Sequence, residues 1–195
     1  VRVLDLSRVL AGPWAAQTLG DLGAEVIKVE RPGSGDDTRT WGPPWLKDGE
    51  GQDTRDSAYY LCANRNKRSI AVDFTKPDGQ RIVRELAKTC DVLVENFKVG
   101  SLRQYGLDYE TLKALNPRLV MLRISGYGQT GPYRQKPGFG VLGEAMGGLR
   151  YLTGEPGRVP VRTGISIGDT LSAIHGVMGV MMALYHRDAR GGTGQ

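Results

Sequence analysis

Asp169 lies between Gly168 and Thr170-Leu171-Ser172, where a run of helically spaced apolar residues begins. A carboxylate at such a junction is ordinary N-cap chemistry, because its oxygens satisfy the first free amides of a helix. The same position suits a nucleophile: a helix N-terminus favours the ionised form, and a flanking glycine lets a substrate approach. Spacing alone does not separate the two roles. Just upstream, Gly164-Ile-Ser-Ile-Gly168 spells the G-x-S-x-G of a serine nucleophile on a tight turn into a helix. A hydrolase would need a histidine and an acid as partners, yet His175 and His186, the only histidines, both fall on the helix that carries them away from Ser166. A serine hydrolase built on Ser166 therefore needs a histidine from elsewhere, and it stays as an alternative. Gly126-Tyr-Gly-Gln-Thr-Gly131 is a literal G-x-G-x-x-G after a strand-like run, but Pro132 and Pro137 break the helix a dinucleotide site requires. The histidines lack acidic neighbours at ligand spacing, and Cys62 and Cys90 form no C-x-x-C pair. Neither a metal site nor a disulfide framework is expected.

The chain has 195 residues, 39% of them apolar, enough for one sizeable core. A formal charge of +5 fits either nucleic acid or a small polyanionic ligand. The cations are grouped locally, most densely at Asn64-Arg65-Asn66-Lys67-Arg68, with acids interspersed elsewhere. That is the pattern of pockets, not of a DNA-tracking stripe, and no nucleic-acid partner is expected. The longest apolar stretch, Val177 to Leu184, is far shorter than the ~20 residues of a membrane span, and the N-terminus carries no charged-then-apolar leader. The expectation is a cytoplasmic or matrix protein without a membrane partner.

The elements that must position these residues alternate. Val3 to Leu6 reads as a buried strand, Gly12 to Leu22 as a helix with Pro13 in its first turn and Gly23 at its end, and Glu25 to Val29 as a second strand. Such a βαβ unit implies a parallel sheet. Residues 32–54, rich in Gly, Pro and Asp around Trp41 and Trp45, read as an ordered excursion without regular elements. Strand, helix and strand return at Ser69 to Asp73, Pro77 to Lys88 (Ile82, Val83, Leu86 and Ala87 inward) and Asp91 to Glu95. Two helical pieces broken near Gly106 span Leu102 to Leu115, and Leu119 to Ser125 is a strand. A Gly/Pro-rich loop leads to a helix from Phe139 to about Leu149, a second loop reaches Arg162, and a long helix covers Thr170 to Arg187. Its apolar positions include Leu171, Ile174, Met178, Met181, Met182 and Tyr185, while Ala173, Gly176, Gly179 and Ala183 form a small-residue face.

Taken in order, Val3-Leu-Asp-Leu, Ala11-Gly-Pro, Leu19 through Glu30, Gly35-Asp-Asp-Thr-Arg39, Asn66-Lys-Arg-Ser-Ile70, Asp91 through Phe97, Ser125 through Pro132 and Gly168-Asp169 resemble the CaiB/BaiF, or class III, CoA-transferases. The resemblance covers the whole chain as the N-terminal half of that family, formyl-CoA transferase included. It implies an α/β, Rossmann-like parallel sheet flanked by helices, one CoA-binding domain over residues 1–195, and a homodimer of interlocked, roughly twice longer chains. It implies no tightly bound cofactor, with coenzyme A and acyl-CoA as substrates beside a small carboxylic acid. The activity implied is CoA transfer from an acyl-CoA to a free carboxylic acid through an aspartyl anhydride and an aspartyl-CoA thioester, with Asp169 as nucleophile. Matching positions assign Val9, Leu10 and Ala11 to the CoA and active-site side. Arg31, Val72, Asn96, Phe97 and Ser101 match positions for the nucleotide and pantetheine, and Lys136 a phosphate contact. Thr75 and Gln104 replace basic contacts, which Lys76 and Arg103 are placed to supply from one position away. Leu10 and Gly140 depart from formyl-CoA transferase, which argues against formate or oxalate, and Phe139 stands where related racemases carry a catalytic histidine. Without the family's other half, this chain alone is expected to be inactive or weakly active, and a non-catalytic CoA-binding module is a further alternative.

Overall fold

The computed structural model describes residues 1–195. Strands β1 (Arg2–Asp5), β2 (Glu25–Glu30), β5 (Lys67–Ala71), β6 (Val92–Glu95) and β7 (Val120–Arg123) form one sheet in the order β5-β2-β1-β6-β7, every neighbouring pair parallel. Helix α1 (Ala11–Asp21) links β1 to β2 and α3 (Pro77–Thr89) links β5 to β6. A 3-10 turn at Ser101–Tyr105 and α4 (Tyr109–Leu115) lead to β7. The strand order reverses between β1 and β6, so their loops part at the carboxyl edge and leave a crevice, the usual ligand position in doubly wound sheets.

Alternation along β1 divides the core. Val3 joins Val26, Val92, Val94 and Val120 beneath α1 and the long helix α7 (Ile167–Ala189). Leu4 joins Leu93, Val83, Ala87 and Leu112 beneath α3 and α4. Short branched residues on both faces suit a parallel sheet covered on both sides. On α3, Val83 and Ala87 are buried as expected, whereas Ile82 lies on the solvent flank.

Three elements differ from the sequence reading. Residues 32–54 are not free of regular structure: a 3-10 turn (Asp37–Thr40) precedes an antiparallel hairpin, β3 (Trp45–Lys47) and β4 (Asp53–Ser57), and a short α2 (Ala58–Cys62) follows. Strand β5 starts at Lys67, two residues early, because its basic residues pair with Val26 and Ile27 of β2 while their charged ends find acids on neighbouring strands, Asp5 of β1 and Glu25 of β2. The helix expected after Phe139 is split into α5 (Gly140–Met146) and α6 (Leu149–Leu152) by Gly147 and a left-handed Gly148.

Helix α7 buries its smaller residues, Ala173, Val177, Val180 and Ala183, against α1 and β7, where Gly176 meets Leu122. Its larger ones, Met178, Met181, Met182 and Tyr185 among them, face outward. An 18-residue window of α7 has a mean hydropathy of 1.4, so the helix as a whole has the length and composition of a membrane span although the Val177–Leu184 run does not. In the fold it is a packing helix. Its end is tied down by the buried Arg187, which bonds Asp91, Asp188 and the Arg118 carbonyl.

Two lysines are buried at the carboxyl edge of the sheet. Lys28 pairs with Asp36 at 2.9 Å and donates to the Ser7 carbonyl, both side chains of the ion pair being 1% exposed. Lys67 pairs with Asp5 at 2.8 Å and donates to the Pro13 carbonyl and to Asn64. Buried in such surroundings, a carboxylate left alone is expensive. Replacing Lys28 by methionine should cost about 3–5 kcal/mol, since it strands Asp36 without its counter-ion. Urea unfolding of the Lys28→Met protein checks this, and a loss under about 1 kcal/mol would contradict it.

Candidate active site and ligand cleft

The segment joining β1 to α1 is the hub of the site. Val9 has φ 67°, a left-handed conformation that a β-branched residue adopts only under constraint. The constraint is visible: both oxygens of Asp36 accept from the Val9 amide at 3.3 Å, and Asn96 accepts from the Arg8 amide at 2.8 Å while donating to the Arg8 carbonyl at 2.7 Å. Leu10 and Ala11 follow, both buried. Gly12 is required here, because a Cβ would stand 2.3 Å from the Ser7 side chain.

On one side of this hub lies a cleft of about 660 Å³ at the carboxyl edge of the sheet. Arg8, Arg31, Val72, Phe74, Phe97 and Ser101 border it, with Thr75, Gln104 and Tyr105. Phe74 meets Phe97 and Tyr105 edge to face, with centroids 5.8 and 5.6 Å apart, forming an aromatic wall. Arg8 and Arg31 both pair with Asp37, at 3.0 and 3.1 Å, and the Arg8 guanidinium lies 5.4 Å from the Phe97 ring centroid. The Ser101 hydroxyl is buried without a partner. Cations beside an aromatic wall and a free hydroxyl suit a phosphorylated ligand with a flat ring.

Of the residues singled out from sequence, Arg31, Val72, Phe97 and Ser101 therefore share one cleft. Val9, Leu10 and Ala11 lie on the hub segment beside it, and Asn96 is occupied in holding Arg8. Thr75 and Gln104 line the cleft, whereas Lys76 and Arg103 do not. Lys136 lies on the loop after β7, its ammonium 3.9 Å from the Tyr133 ring centroid. Sequence reasoning misses Arg8, although its place beside Val9 on the strand-to-helix loop is a usable signal.

On the other side stands Asp169. It is the third residue of α7 and not its cap; Ser166 holds the cap position, its carbonyl accepting from the Thr170 amide and its hydroxyl making no cap bond. Burial pushes the Asp169 carboxyl above the ordinary carboxylate range, against the opposing pull of its own amide, the Ala11 amide and Arg162; Glu144 adds to the rise. The N-terminus of α1 thus faces the carboxylate. Gly140 leaves it room, since a Cβ there would stand 3.1 Å from Oδ2. Tyr59 lies close as well: burial raises its phenol, Ser166 bonds it and lowers it, and Asp169 raises it further.

The two misleading motifs resolve differently. Ser166 has no histidine in reach, because His175 bonds the Leu171 carbonyl at 2.8 Å and lies nine residues, roughly 13 Å, farther along the axis. Gly126 and Gly138 pinch the loop after β7 together, a Cβ on Gly126 falling 2.5 Å from Gly138 Cα, so these glycines close a loop and do not open a helix.

The profile of CoA-transferase family III matches residues 1–195. The chain belongs to this family. It is 48% identical over 195 residues to the succinate–glutarate CoA-transferase of Agrobacterium fabrum, covering 100% of this chain and 48% of that one. It is 51% identical to the succinyl-CoA–D-citramalate CoA-transferase of Chloroflexus aurantiacus, covering 46% of it. The crystal structure of a CAIB/BAIF family protein from Brucella suis superposes with a TM-score of 0.94 at 49% identity, over 100% of this chain and 50% of the other. The chain thus spans about half the length of the relatives it matches.

Glu95 connects the site to pH. It is buried at the end of β6, donates nothing, and accepts from the Phe97 amide at 2.7 Å. Burial lifts its carboxyl to about 7, against that bond and Arg123. A raised carboxyl stabilises the fold most below the unfolded value, near 4.5, and loses that contribution as pH rises toward 7. The Glu95 carboxyl carbon should titrate near pH 7 by NMR, the Phe97 amide shifting with it. Glu95→Gln should flatten the stability profile between pH 4.5 and 7; a midpoint below 5 would refute this.

Proposed function

We propose that this chain is the CoA-binding half of an enzyme that moves CoA from an acyl-CoA to a free carboxylic acid, with Asp169 as nucleophile. The observation that carries the reading is the hub segment itself: Arg8 borders the cleft, and three residues later the Ala11 amide faces the Asp169 carboxylate. A ligand with its nucleotide in the cleft can run along Val9 and Leu10 and bring its thioester to Asp169. The cofactor-like part is a substrate that comes and goes, with Arg31, Val72, Phe97 and Ser101 at its nucleotide end, while Lys136 and Arg103 stand outside the cleft lining and serve only as further phosphate contacts in this reading.

The chemistry follows from a carboxylate nucleophile. Asp169 adds to the acyl carbonyl and expels the CoA thiolate, leaving a mixed anhydride. The thiolate then attacks the aspartyl carbonyl and releases the donor acid, leaving an aspartyl-CoA thioester. The acceptor carboxylate repeats these steps in reverse and regenerates Asp169. Partial desolvation makes the carboxylate more basic and more nucleophilic than one in water. The acids named in the two relatives, succinate, glutarate and citramalate, each carry two carboxylates, which makes a dicarboxylate the substrate of choice here.

The reading extends to assembly. Met178, Met182 and Tyr185 on the outward face of α7 are exposed, as are Phe139, Tyr151 and Leu152, and exposed apolar side chains in this number support the interlocked homodimer. A cytoplasmic or matrix location, where acyl-CoA is available, accompanies it.

Hydroxylamine added during turnover with succinyl-CoA should convert Asp169 to a hydroxamate, detectable by peptide mass spectrometry. Asp169→Ala should reduce transfer by at least about 10³-fold with CoA binding retained. Full activity of Asp169→Ala, or labelling of Ser166 by a fluorophosphonate instead, would reverse the assignment.

A further inference from the structure

Beside Asp169 stands a group of charges that the fold leaves unsatisfied. Glu144 is 4% exposed, and neither of its carboxylate oxygens has a hydrogen-bond partner. Its nearest cations, Arg150 Nε and Arg162 Nε, each stand 3.8 Å away, beyond hydrogen-bond reach. Arg150 Nε is itself buried without a partner. Arg162 has a half-exposed side chain whose sole ion pair is the long one to Glu144, so its forked donors remain free. Buried polar groups are nearly always satisfied in folded chains, and a cluster of exceptions in one place calls for a missing partner.

Its position says what kind. Gly140 abuts the Asp169 carboxylate, and Glu144 lies four residues later on the same face of α5. The cluster belongs to the surroundings of the reacting carboxyl group, since Arg162 pulls the Asp169 carboxyl down and Glu144 pushes it up. A short dicarboxylic acid reacting at Asp169 would carry its second carboxylate within the same surroundings. Two guanidinium groups stand against the single Glu144 carboxylate, an excess of one positive charge within the cluster, and a guanidinium fork donates two parallel bonds to a carboxylate.

Resting on the CoA-transfer reading above, we infer that Arg162, held by Glu144 beside Arg150, binds the non-reacting carboxylate of a dicarboxylic substrate while its other carboxylate exchanges at Asp169. Arg162 is then a specificity residue. A monocarboxylic acid of equal length presents a methyl group to the fork and leaves it unpaired, and sites built around a polar contact discriminate strongly against ligands that lack it. Glu144 and Arg150 act through Arg162 and are positioning residues.

The test compares succinate with butyrate, which replaces one carboxylate by a methyl, as acceptors for the catalytically competent protein that contains this chain. In a two-stage exchange, kcat/KM for the acceptor reports only the acceptor stage, so the donor does not blur the comparison. Arg162→Met should lower the succinate-to-butyrate ratio of kcat/KM about 100-fold, and Arg162→Lys, which keeps the charge but not the fork, about 10-fold. Should the methionine variant not fold, the lysine variant decides. Exchange that persists with an unchanged ratio, or both acids falling equally, overturns the inference and leaves the CoA-transfer reading standing. No thioester exchange with any acid in the unsubstituted protein overturns both together.

Discussion

Everything at the carboxyl edge of this sheet depends on four buried charges. Lys28 and Lys67 rise from β2 and β5 into the space beneath the β1–α1 loop, and Asp36 and Asp5 meet them there. Lys67 and Lys28 hold the Asp5 carboxyl below its usual range in spite of its burial, although burial also pulls the Lys67 ammonium below its own usual range. Through Asp36 the network reaches the Val9 amide and keeps a valine in a conformation it would otherwise leave. Through Ser7, whose amide and hydroxyl both reach Asp5, it fixes the end of β1. An apolar core of similar volume could be as stable; what the charges add is direction, because each hydrogen bond aims a particular stretch of backbone.

That direction places two chemically different regions on either side of one short segment. The cleft has cations, an aromatic wall and an unpartnered hydroxyl, all suited to holding a large polyanionic ligand. The space around Asp169 is tighter and partly dry, bounded by Gly140, Gly168, Tyr59 and the start of α1. A second buried acid, Glu30, shows the same economy: Arg39 grips it with two nitrogens while Ser69, Tyr60 and the Asp36 amide also donate to it, holding its carboxyl at about 2. The Arg39 arm ties the 3-10 turn after β2 to the sheet and so keeps Asp36 where Val9 needs it.

Regular elements with clean patterning are legible in the amino-acid order alone. The strand at Val3 to Leu6, the Gly12-to-Leu22 helix and the two helical pieces around Gly106 emerge with their boundaries within one or two residues, because local sterics and burial act in the same sense there. Lys67 and Arg68 obscure the start of β5, since a strand that carries buried or tethered cations does not alternate in hydrophobicity. The hairpin at Trp45 and Asp53 is hidden for a similar reason: its strands are short and mostly exposed, so no apolar pattern marks them. On α7 the periodicity identifies the helix, and its small-residue face, Ala173, Gly176 and Ala183 among it, is the side that packs on α1 and β7, while the larger residues are left for another surface.

By itself, the sequence determined the parallel α/β class, the order of the elements, and a set of ordered landmarks specific enough to point to one family and to Asp169 within it. It left Asp169 suspended between helix cap and nucleophile, and it offered no link between Glu144, Arg150 and Arg162. Where these side chains meet is decided by distance across the fold. Whether a carboxylate caps its own helix or faces the start of another depends on where α1 ends up, and α1 is placed by the packing of two core layers and four buried charges contributed by segments far apart in the chain. Spacing along one helix carries no information about the approach of a second, and that is why the site became readable only when β1, β2 and β5 had brought their ends together.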